Sequence, residues 1–428
     1  MKVAIAGYGV EGEASCQYWL DKGAEVTVFD EKMPSHPLPG GVDSVIGTDA
    51  FERLEGYDMV IRTASLRPDK IKTDGKVWSA TNEFFAKCPA QIIGVTGTKG
   101  KGTASTLIAE ILKAAGKTVH LVGNIGLPAL EILEQVQGDD IVVFELSSFQ
   151  LWDLEKSPEI AVVLMIEADH MDVHASMDEY VAAKANVTTH QKSEDLLIYH
   201  PTNRYAAEIA TRSAAGKRKF FTPEGAYVNG QDIVIEGQVV CSTSDIGLIG
   251  AHNLENVCAA VTAAWRYTQD IRAIRSAVAN FKGLPHRLEF VDEIKGVAYY
   301  NDSFSSAPGA TVAAIRSFDQ PIVLICGGFD RGLDYSELTA AITEQQNIKK
   351  VLLIGQTAAA IGRSFDTATF DKFEILTDMD MPQILQKAAS ESADGDIVLL
   401  SPGCASFDMF KDFKDRGEQF KAAVGELA

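Results

Sequence analysis

Short runs of apolar, β-branched residues alternate along the chain with segments in which apolar residues recur every three or four positions. Such short runs are typical of strands buried on both faces of a sheet, and the intervening segments are typical of the helices that cover it. The apolar runs that predict strands lie at residues 2–6, 25–29, 59–62, 92–95, 118–122, 141–144, 161–166, 297–300, 322–326, 351–354 and 397–400. The regular alternation of strands and helices favours an α/β fold built on parallel sheets.

The pattern of strand, turn and helix restarts three times, near residues 1, 92 and 297. The length of 428 residues corresponds to roughly three domains of ordinary size. We therefore predict three domains, at residues 1–88, 89–284 and 285–428. The segment 218–241 alternates polar and apolar residues between turn signals, which predicts antiparallel hairpins appended to the central sheet.

Composition and charge restrict the class of protein. Apolar residues make up 46% of the chain and charged residues 23%, which is ordinary for a folded protein and excludes wholesale disorder. The 39 basic and 59 acidic residues give a formal net charge of −20, which repels nucleic acid and anionic membranes. We expect a cytoplasmic protein, because the six cysteines are scattered and the sequence has neither a signal-peptide pattern nor a long apolar run. We also expect it to have no nucleic-acid or membrane partners.

A glycine-rich turn, Gly7-Tyr8-Gly9-Val10-Glu11-Gly12, follows the first predicted strand and opens a helix. Asp30 ends the second predicted strand, 18 residues beyond Gly12. Such a turn lets a diphosphate approach the backbone and meet a helix N-terminus, while the acid holds a ribose hydroxyl. Three interpretations fit these residues: an NAD site, a site for the diphosphate of a UDP-sugar, or a tight turn without a ligand.

A second glycine-rich loop opens the central domain, with the sequence Gly97-Thr98-Lys99-Gly100-Lys101-Gly102-Thr103 between a strand and a helix. In such loops backbone N–H groups surround phosphates, the lysine neutralises the β- and γ-phosphate oxygens, and a hydroxyl near the helix start holds Mg²⁺. Gly102 stands where that hydroxyl is usual, so Thr103 is the next candidate. The pattern indicates a nucleotide-binding phosphate loop.

Two strand ends and one helix supply further candidates. Glu145 ends the predicted strand at 141–144, and the segment 167–172, which contains His170, follows the strand at 161–166. The carboxyl ends of parallel strands meet at the ligand-binding edge of a sheet, and Mg²⁺ prefers hard oxygen ligands such as a carboxylate. Lys184 shares a helix face with Tyr180, and local physics alone gives it only the character of a solvated helix lysine.

Taken together, these motifs resemble the Mur ligase family over essentially the whole chain. The other stretches that carry the resemblance are Gly123–Gly126, Glu145–Gln150, 169–172, Tyr180–Lys184, 252–256, 283–287, 301–303, Gly327-Gly328 with Arg331, and 401–406. The resemblance implies an N-terminal Rossmann-like domain that binds the UDP of a sugar, a central ATPase domain, and a C-terminal Rossmann-like domain that binds an amino acid. It implies a monomeric ATP-dependent amide ligase that adds D-glutamate to UDP-N-acetylmuramoyl-L-alanine through an acyl phosphate, in peptidoglycan precursor synthesis.

The resemblance also implies the roles of individual residues. Two Mg²⁺ ions are expected, the first held by Thr103 and Glu145 and the second by His170 and a Lys184 carbamylated by CO₂. Besides residues 97–103, the ATP contacts implied are Asn253, Asn256, Arg287 and Asp302. The UDP-sugar contacts implied are Gly7, Gly9, Val10, Glu11, Gly12, Asp30, Asn124 and Gln150. The D-glutamate contacts implied are Ser306, Arg331, Ser406 and Phe413, and the residues with catalytic roles are Lys101, His170, Lys184 and Arg287.

Some positions depart from the usual family pattern. Lys99 replaces Asn, Gly102 replaces Ser or Thr, Thr63-Ala64-Ser65 replaces Ser-Pro-Gly, Phe304 replaces Lys, and Arg331 replaces Lys. The phosphate loop also suits folylpolyglutamate synthases, which lack the N-terminal glycine-turn domain, and another Mur ligase with a different amino acid would share the fold. An NAD oxidoreductase would leave the phosphate loop without a role. A non-enzymatic nucleotide-binding regulator would be expected to have lost Lys101, Glu145, His170 or Lys184, and all four are present.

Overall fold

The structure, a computed structural model, describes residues 1–34, 37–248, 250, 252–368 and 370–427. These residues divide into two compact units. The N-terminal unit comprises the described residues of 1–246 together with 252–281, and the C-terminal unit comprises residues 247, 248, 250 and those from Lys282 onwards. Among the described residues, no helix has both the length and the apolar character needed to cross a bilayer.

The N-terminal unit begins with a five-stranded parallel sheet in the order β3-β2-β1-β4-β5. Its elements are β1 (Lys2–Ala6), α1 (Val10–Asp21), β2 (Glu25–Asp30), β3 (Asp43–Ile46), β4 (Met59–Arg62), β5 (Lys76–Ser79) and α2 (Ala80–Lys87). The strands β1, β2 and β4 are almost wholly buried, as their uninterrupted apolar runs predict for a sheet covered on both faces.

A second, six-stranded parallel sheet follows in the same unit, in the order β11-β10-β9-β6-β8-β7. Its elements are β6 (Gln91–Thr96), α3 (Lys101–Ala114), β7 (Val119–Gly123), α4 (Ala129–Ile132), β8 (Ile141–Glu145), α5 (Ser148–Leu151), β9 (Ile160–Val163), α6 (Met177–Thr189), β10 (Leu196–Tyr199), α7 (Arg204–Arg212) and β11 (Gly216–Lys219). Side chains of both sheets, including Trp19, Phe84 and Phe144, belong to one apolar core cluster.

The rest of the N-terminal unit corrects one prediction. The strands β12 (Tyr227–Asn229), β13 (Asp232–Ile235) and β14 (Gln238–Ser242) form the predicted antiparallel hairpins, followed by α8 (His252–Ala264) and α9 (Ile271–Asn280). These strands form a separate three-stranded sheet, so the prediction that they extend the central sheet is wrong. The central sheet ends instead at β11, a charged parallel strand that the apolar pattern did not predict.

The C-terminal unit contains a six-stranded sheet in the order β15-β16-β20-β17-β18-β19, parallel except for β15. Its elements are β15 (Glu289–Ile294), β16 (Val297–Asn301), α10 (Pro308–Ile315), β17 (Ile322–Gly327), α11 (Ser336–Glu344), β18 (Ile348–Ile354), α12 (Ala358–Thr367), β19 (Phe373–Ile375), α13 (Met381–Glu391), β20 (Ile397–Leu400) and α14 (Phe413–Gly425). Apolar clusters cover both faces of this sheet, as an α/β fold requires.

Candidate active site

A cavity of about 650 Å³ in the N-terminal unit contains the first glycine turn. Its lining includes all the residues predicted to contact a UDP-sugar: Gly7, Gly9, Val10, Glu11, Gly12, Asp30, Asn124 and Gln150. The first five residues lie in the turn after β1 and the start of α1, and Asp30 ends β2; Asn124 follows β7 of the central sheet, and Gln150 lies in α5, after β8. A volume of this size is ordinary for a site that binds a small molecule or cofactor.

The glycines of this turn meet different steric demands. Gly7 has φ +96°, and a Cβ there would lie 2.2 Å from Thr63 Oγ1. A Cβ on Gly12 would lie 2.1 Å from the carbonyl oxygen of Gly7, so the start of α1 could not pack against the turn. A Cβ on Gly9 would meet no atom within 4 Å. The space beside Gly9 is therefore open to a ligand, and Asp30 Oδ2 fixes the turn by accepting a 2.7 Å hydrogen bond from Tyr8 N.

The segment 63–65, where the sequence departs from the family pattern, closes against the same turn. Thr63 Oγ1 donates to the carbonyl oxygen of Ala6 at 2.9 Å, and the N–H of Ala64 donates to Glu11 Oε2 at 2.8 Å. Burial raises the pKa of Glu11, because its charged form loses hydration. Although residues 63–65 differ from the family pattern, these hydrogen bonds hold their backbone in a defined position beside the cavity.

Sequence reasoning missed Arg62, which lies at the end of β4 and is fully buried. Its guanidinium forms two hydrogen bonds with Asp153, of 2.6 and 2.8 Å, and another of 3.0 Å with the carbonyl oxygen of Phe149. It also donates to the carbonyl oxygens of Thr63, Ala64 and Leu66. Arg62 thus joins the segment 63–66, which follows β4 of the N-terminal sheet, to the α5 region, which follows β8 of the central sheet.

The phosphate loop has the predicted strand–loop–helix geometry. Gly100 precedes α3 with φ +83°, and a Cβ there would lie 2.2 Å from Asn256 Oδ1. Gly100, the N-cap of α3, has no side chain to cap the helix, and the N–H groups of the first helical turn point out of the helix end, as in sites that bind anions. Lys101 Nζ donates to the carbonyl oxygen of Thr98 at 3.0 Å. Asn256 also donates to Asn253 Oδ1 at 3.0 Å, which places both predicted adenine contacts at the start of α8 beside the loop.

Residues 164–167 follow this loop closely, which corrects the predicted strand at 161–166. The strand β9 ends at Val163, and the chain then bonds to the phosphate loop outside the regular ladder. The carbonyl oxygen of Met165 accepts from Thr98 N at 2.8 Å, and Thr98 Oγ1 donates to the carbonyl oxygen of Glu167 at 3.0 Å. Lys99 is exposed and pairs with the Glu167 carboxylate at 3.3 Å.

Lys184 differs most from its expected environment. It lies in α6 with only 1% of its surface exposed, although local sequence gave it the character of a solvated lysine. Its Nζ donates to the carbonyl oxygen of Gly97 at 2.9 Å and lies 4.6 Å from the centre of the Tyr180 ring. Burial lowers its pKa well below the usual value, and the nearby Lys101 charge lowers it further, while Asp169 and Glu145 act in the opposite direction. The structure therefore places a buried amine with a lowered pKa beside the phosphate loop.

The remaining predicted metal ligands differ in their exposure. Glu145 ends β8 and is buried, with Asn124 Nδ2 donating to it at 3.4 Å. Thr103 is buried in the first turn of α3. His170 is exposed, has φ +55°, and its ring lies 4.9 Å from that of Phe149. Within the described part of the chain, no three His, Cys, Asp or Glu side chains gather as a metal site.

In the C-terminal unit, three loops lie at the carboxyl ends of neighbouring parallel strands. Residues 302–306 follow β16, residues 328–331 follow β17, and residues 401–407 follow β20. This edge is where open parallel sheets bind ligands. The predicted amino-acid contacts comprise the exposed Arg331, the buried Ser406, and the partly buried Ser306 and Phe413.

Asp302 is buried and engaged with its own unit. Its Oδ1 accepts from Leu288 N at 3.1 Å, and its Oδ2 accepts from the hydroxyls of Ser305 and Ser401 at 2.6 and 2.7 Å. Burial raises its pKa from 3.8 to about 6, whereas these hydrogen bonds and the Arg287 charge act to lower it. The geometry gives Asp302 a part in fixing the segment that contains Arg287.

Arg416 is a second residue that sequence reasoning missed. It is fully buried in α14 and donates to Ser303 Oγ at 2.9 Å, to the Ser303 carbonyl oxygen at 2.8 Å and to the carbonyl oxygens of Cys404 and Ala405 at 3.2 Å. Burial lowers the pKa of its guanidinium to about 10. Arg416 thereby ties the loop after β16 to the loop after β20.

Gly417, the next residue of α14, lies against the buried ring of His286. A Cβ on Gly417 would lie 2.1 Å from His286 Nδ1. That nitrogen is 3.0 Å from Asn301 Nδ2, and the Asn301 amide also contacts Glu289. The backbone beside Arg287 is therefore packed directly onto α14.

A phosphate loop on a parallel sheet, a buried lysine beside it and a second glycine turn in a large cavity define an enzyme that uses a nucleoside triphosphate. Residues 95–264 match the family described as the Mur ligase middle domain, and residues 286–404 match the Mur ligase glutamate ligase domain. The chain belongs to the Mur ligase family. It is 37% identical, over its whole length and 97% of theirs, to proteins of Clostridium botulinum strain Langeland and Clostridium tetani, each named UDP-N-acetylmuramoylalanine–D-glutamate ligase.

Solved structures of the family share the fold. The UDP-N-acetylmuramate–alanine ligase of Thermotoga maritima matches with a TM-score of 0.62 and 15% identity, covering 100% of both chains. The MurF ligase of the same organism, in complex with ADP, matches with a TM-score of 0.60 and 19% identity, covering 100% of this chain and 95% of that one. The predicted α/β fold class is confirmed.

Proposed function

We propose that this protein is the cytoplasmic ligase that adds D-glutamate to UDP-N-acetylmuramoyl-L-alanine, with ATP as co-substrate, in peptidoglycan precursor synthesis. The observation that carries the proposal is the similarity, over the whole chain, to relatives named for this activity. The phosphate loop, the buried lysine beside it and the cavity of about 650 Å³ around the first glycine turn support it. We propose that the enzyme acts as a monomer with the domains 1–88, 89–284 and 285–428.

The chemistry explains the need for ATP. A carboxylate is a poor electrophile, so the L-alanyl carboxylate oxygen attacks the γ-phosphorus, and ADP leaves as the acyl phosphate forms. The amine of D-glutamate then attacks the acyl carbon, gives up a proton, and inorganic phosphate leaves. In this mechanism the chain's task is to hold clustered anions in position and to exclude water. Lys101 and Arg287 supply cationic charge to the triphosphate, and residues 97–103 surround it with N–H groups.

Two Mg²⁺ ions fit the donor chemistry of the central sheet. Thr103 offers a hydroxyl and Glu145 a buried carboxylate, which are hard oxygen donors suited to Mg²⁺, and these residues would hold the first ion. His170 and a carbamylated Lys184 would hold the second. When bound, the ions neutralise the phosphate charge that develops during transfer. The fit at Lys184 rests on its burial beside Gly97, where a protonated amine would oppose a cation and an anionic oxygen would attract one.

Carbamylation of Lys184 would start from its neutral amine. The neutral nitrogen forms a bond to the carbon of CO₂, and one proton leaves the nitrogen to give the carbamate anion. Burial favours the neutral amine that this reaction needs. In the reaction itself, the carbamate would hold its oxygens at a fixed position close to the phosphate loop.

The other assignments divide between the two units. In the N-terminal unit, the turn at 7–12 with Asp30 would bind UDP, Asn124 and Gln150 the sugar-peptide, and Asn253 and Asn256 the adenine. In the C-terminal unit, Asp302 would act towards the ribose, and the predicted D-glutamate contacts are Ser306, Arg331, Ser406 and Phe413. Arg331 suits this substrate because a guanidinium binds a carboxylate with two parallel hydrogen bonds.

The deciding assay measures phosphate release with UDP-N-acetylmuramoyl-L-alanine and ATP, comparing D-glutamate, L-glutamate and L-lysine. We expect turnover with D-glutamate alone. Turnover with L-lysine would indicate another ligase of the family, and turnover with a folate and L-glutamate would indicate a folylpolyglutamate synthase. Lys101→Ala should abolish release, while Lys113→Ala, at the exposed end of the same helix, serves as the matched control.

The nature of the first glycine turn is tested separately. Titration calorimetry with UDP and with NAD should give binding heat for UDP and none for NAD. The Gly9→Val variant would fill the open space beside the turn and should weaken UDP binding. Tight NAD binding without UDP binding would contradict the UDP assignment.

A further inference from the structure

Two exposed phenylalanines of the C-terminal unit each lie beneath an arginine that the proposed function assigns to an anion. The guanidinium carbon of Arg287 is 4.6 Å from the centre of the Phe304 ring, and that of Arg331 is 5.8 Å from the centre of the Phe407 ring. Both distances fall within the range of about 6 Å at which a cation is attracted to the face of an aromatic ring. The two rings are 46% and 56% exposed, so these faces stay close to water and to ligands.

We propose that Phe304 is a positioning residue, whose ring face holds the guanidinium of Arg287 in the orientation that binds the phosphates of ATP. This inference rests on the proposed function, because it presumes that Arg287 contacts the nucleotide. A ring that orders the guanidinium of Arg287 before an anion binds reduces the side-chain freedom that is lost on binding.

The Phe304 ring has support on its other side. The Phe413 ring meets it edge to face, with centroids 5.1 Å apart and planes at 89°, and packs in turn at 5.9 Å from the His286 ring. An edge-to-face pair fixes the tilt of both rings. The orientation of the Phe304 face is therefore set by the partly buried Phe413 ring, which itself packs on the buried His286 ring, although half of the surface of Phe304 is open.

The backbone that carries Arg287 is fixed to the same segment as the ring. Phe304 N donates to the carbonyl oxygen of His286 at 2.9 Å, and Leu288 N donates to Asp302 Oδ1 at 3.1 Å. His286 and Leu288 have φ +63° and +44°, conformations that cost free energy for residues other than glycine. Arg287 is thus held on both flanks by residues 302–304, and its side chain returns to the Phe304 ring. Strained backbone that aims a charged side chain is typical of functional sites.

Arg331 and Phe407 repeat the arrangement at the neighbouring strand end. The Phe407 ring is 6.1 Å from that of Phe329, which lies close to Arg331 in sequence. The Arg416 side chain joins the loop after β16 to the loop after β20, and so connects the bases of both pairs. By the same reasoning, Phe407 would position Arg331 for the carboxylates of D-glutamate.

The test compares steady-state kinetics of the full chain carrying Phe304→Leu, Phe304→Tyr and Phe304→Lys. Phe304→Leu keeps an apolar side chain and removes the aromatic face, so kcat/KM for ATP should fall by about 3- to 30-fold, the range expected for a cation–ring contact. Phe304→Tyr should stay within about twofold of the wild type, since the ring face remains. Phe304→Lys should also lower kcat/KM, because a second cation repels Arg287. Phe290→Leu, at another exposed phenylalanine of the unit, is the matched control and should have no effect.

Combining variants shows whether Phe304 acts through Arg287. The double variant Arg287→Ala/Phe304→Leu should be no slower than Arg287→Ala alone. Any of four results would overturn the inference: equal losses for Phe304→Leu and Phe304→Tyr, full activity of Phe304→Leu, additive losses in the double variant, or a gain in kcat/KM with Phe304→Lys. Full activity of Arg287→Ala would instead contradict the role proposed for Arg287 itself. Phe407→Leu should raise KM for D-glutamate and leave KM for ATP unchanged.

Discussion

Replacing Asp302 by asparagine should stabilise the C-terminal unit at neutral pH and have little effect below pH 4. The carboxylate is buried, and its pKa is raised from 3.8 to about 6, mainly because burial removes the hydration of its charge. The variant suits the site. Its amide oxygen can accept from Leu288 N, and its NH₂ group can donate to the hydroxyls of Ser305 and Ser401 that now donate to the carboxylate.

The magnitude follows from the two pKa values. A carboxyl group whose pKa is higher in the folded than in the unfolded chain contributes stability that is fully present below pH 3.8 and is lost as the pH rises through about 6. The difference between the two pKa values corresponds to ~3 kcal/mol. About half of this loss falls between pH 5 and pH 8. The free energy of unfolding of the variant, relative to that of the wild type, should increase by that half over this interval.

The protein contains the reporters that this measurement needs. Cys326 and Cys404 are free and fully buried in the C-terminal unit, so a brief pulse of a methanethiosulfonate reagent labels them only in unfolded molecules. Urea titrations at pH 5 and pH 8, with labelling followed by peptide mass spectrometry, give the unfolding midpoint of that unit. Asp319→Asn, at an exposed carboxylate of the same unit, is the matched control. If Asp302→Asn and the wild type differ by the same amount at both pH values, ionisation of a buried carboxylate is not the cause.

Three further variants test other buried charges and the candidate site. Lys184→Met should abolish turnover without lowering the melting temperature in CO₂-free buffer. The pKa of the buried amine is lowered, so protonation of Lys184 destabilises the folded chain, and this penalty decreases as the pH rises towards 10.5. An active Lys184→Met enzyme would contradict the carbamate. Lys184→Ala should regain part of its activity with added acetate, and failure to respond would count against an oxygen ligand at that position. Arg62→Met should lower the free energy of unfolding by about 3 kcal/mol, because it leaves Asp153 without its partner. Urea unfolding followed by tryptophan fluorescence measures this loss, since all four tryptophans lie in the N-terminal unit. An unchanged unfolding midpoint would refute the prediction.

The sequence predicted the buried strands well, because uninterrupted apolar runs between turn residues have few alternatives. The strands at 2–6, 59–62 and 397–400 match the structure at both ends. The edge strands β11 and β15 were missed because their residues are mostly charged or exposed. Charged side chains are common on the edge strands of sheets, where they prevent pairing with other chains. The strand at 161–166 was extended too far because Leu164 and Met165 are apolar. In the structure, Leu164 N donates to the carbonyl oxygen of Thr96, the last residue of β6, and the carbonyl oxygen of Met165 accepts from Thr98 N in the phosphate loop.

The candidate site was less accessible to sequence reasoning. Motifs identified the glycine turns individually, and the structure brings Asn124 and Gln150 to the first of them. Burial could not be foreseen for Lys184, because its partner, the carbonyl oxygen of Gly97, lies 87 residues away. Arg62 and Arg416 gave no local signal for the same reason, since their hydrogen-bond partners come from distant segments. Long-range polar contacts of this kind have no periodicity that a sequence pattern can detect.

The contact between Gly417 and His286 constrains how this sequence can change over evolutionary time. Alanine would favour the helical conformation at position 417 by about 1 kcal/mol, but its Cβ would collide with the imidazole nitrogen 2.1 Å away. Gly417→Ala is therefore expected to be harmful while His286 is present. It becomes beneficial once a smaller residue has replaced His286 and the Asn301 amide, 3.0 Å from the same Cβ position, has shifted slightly, which is sign epistasis. The order of substitution matters, because the residue that must change first adjoins Arg287. Lineages that stabilise α14 would have to alter the neighbour of that arginine beforehand, so packing against the imidazole holds a glycine that helix propensity alone would replace.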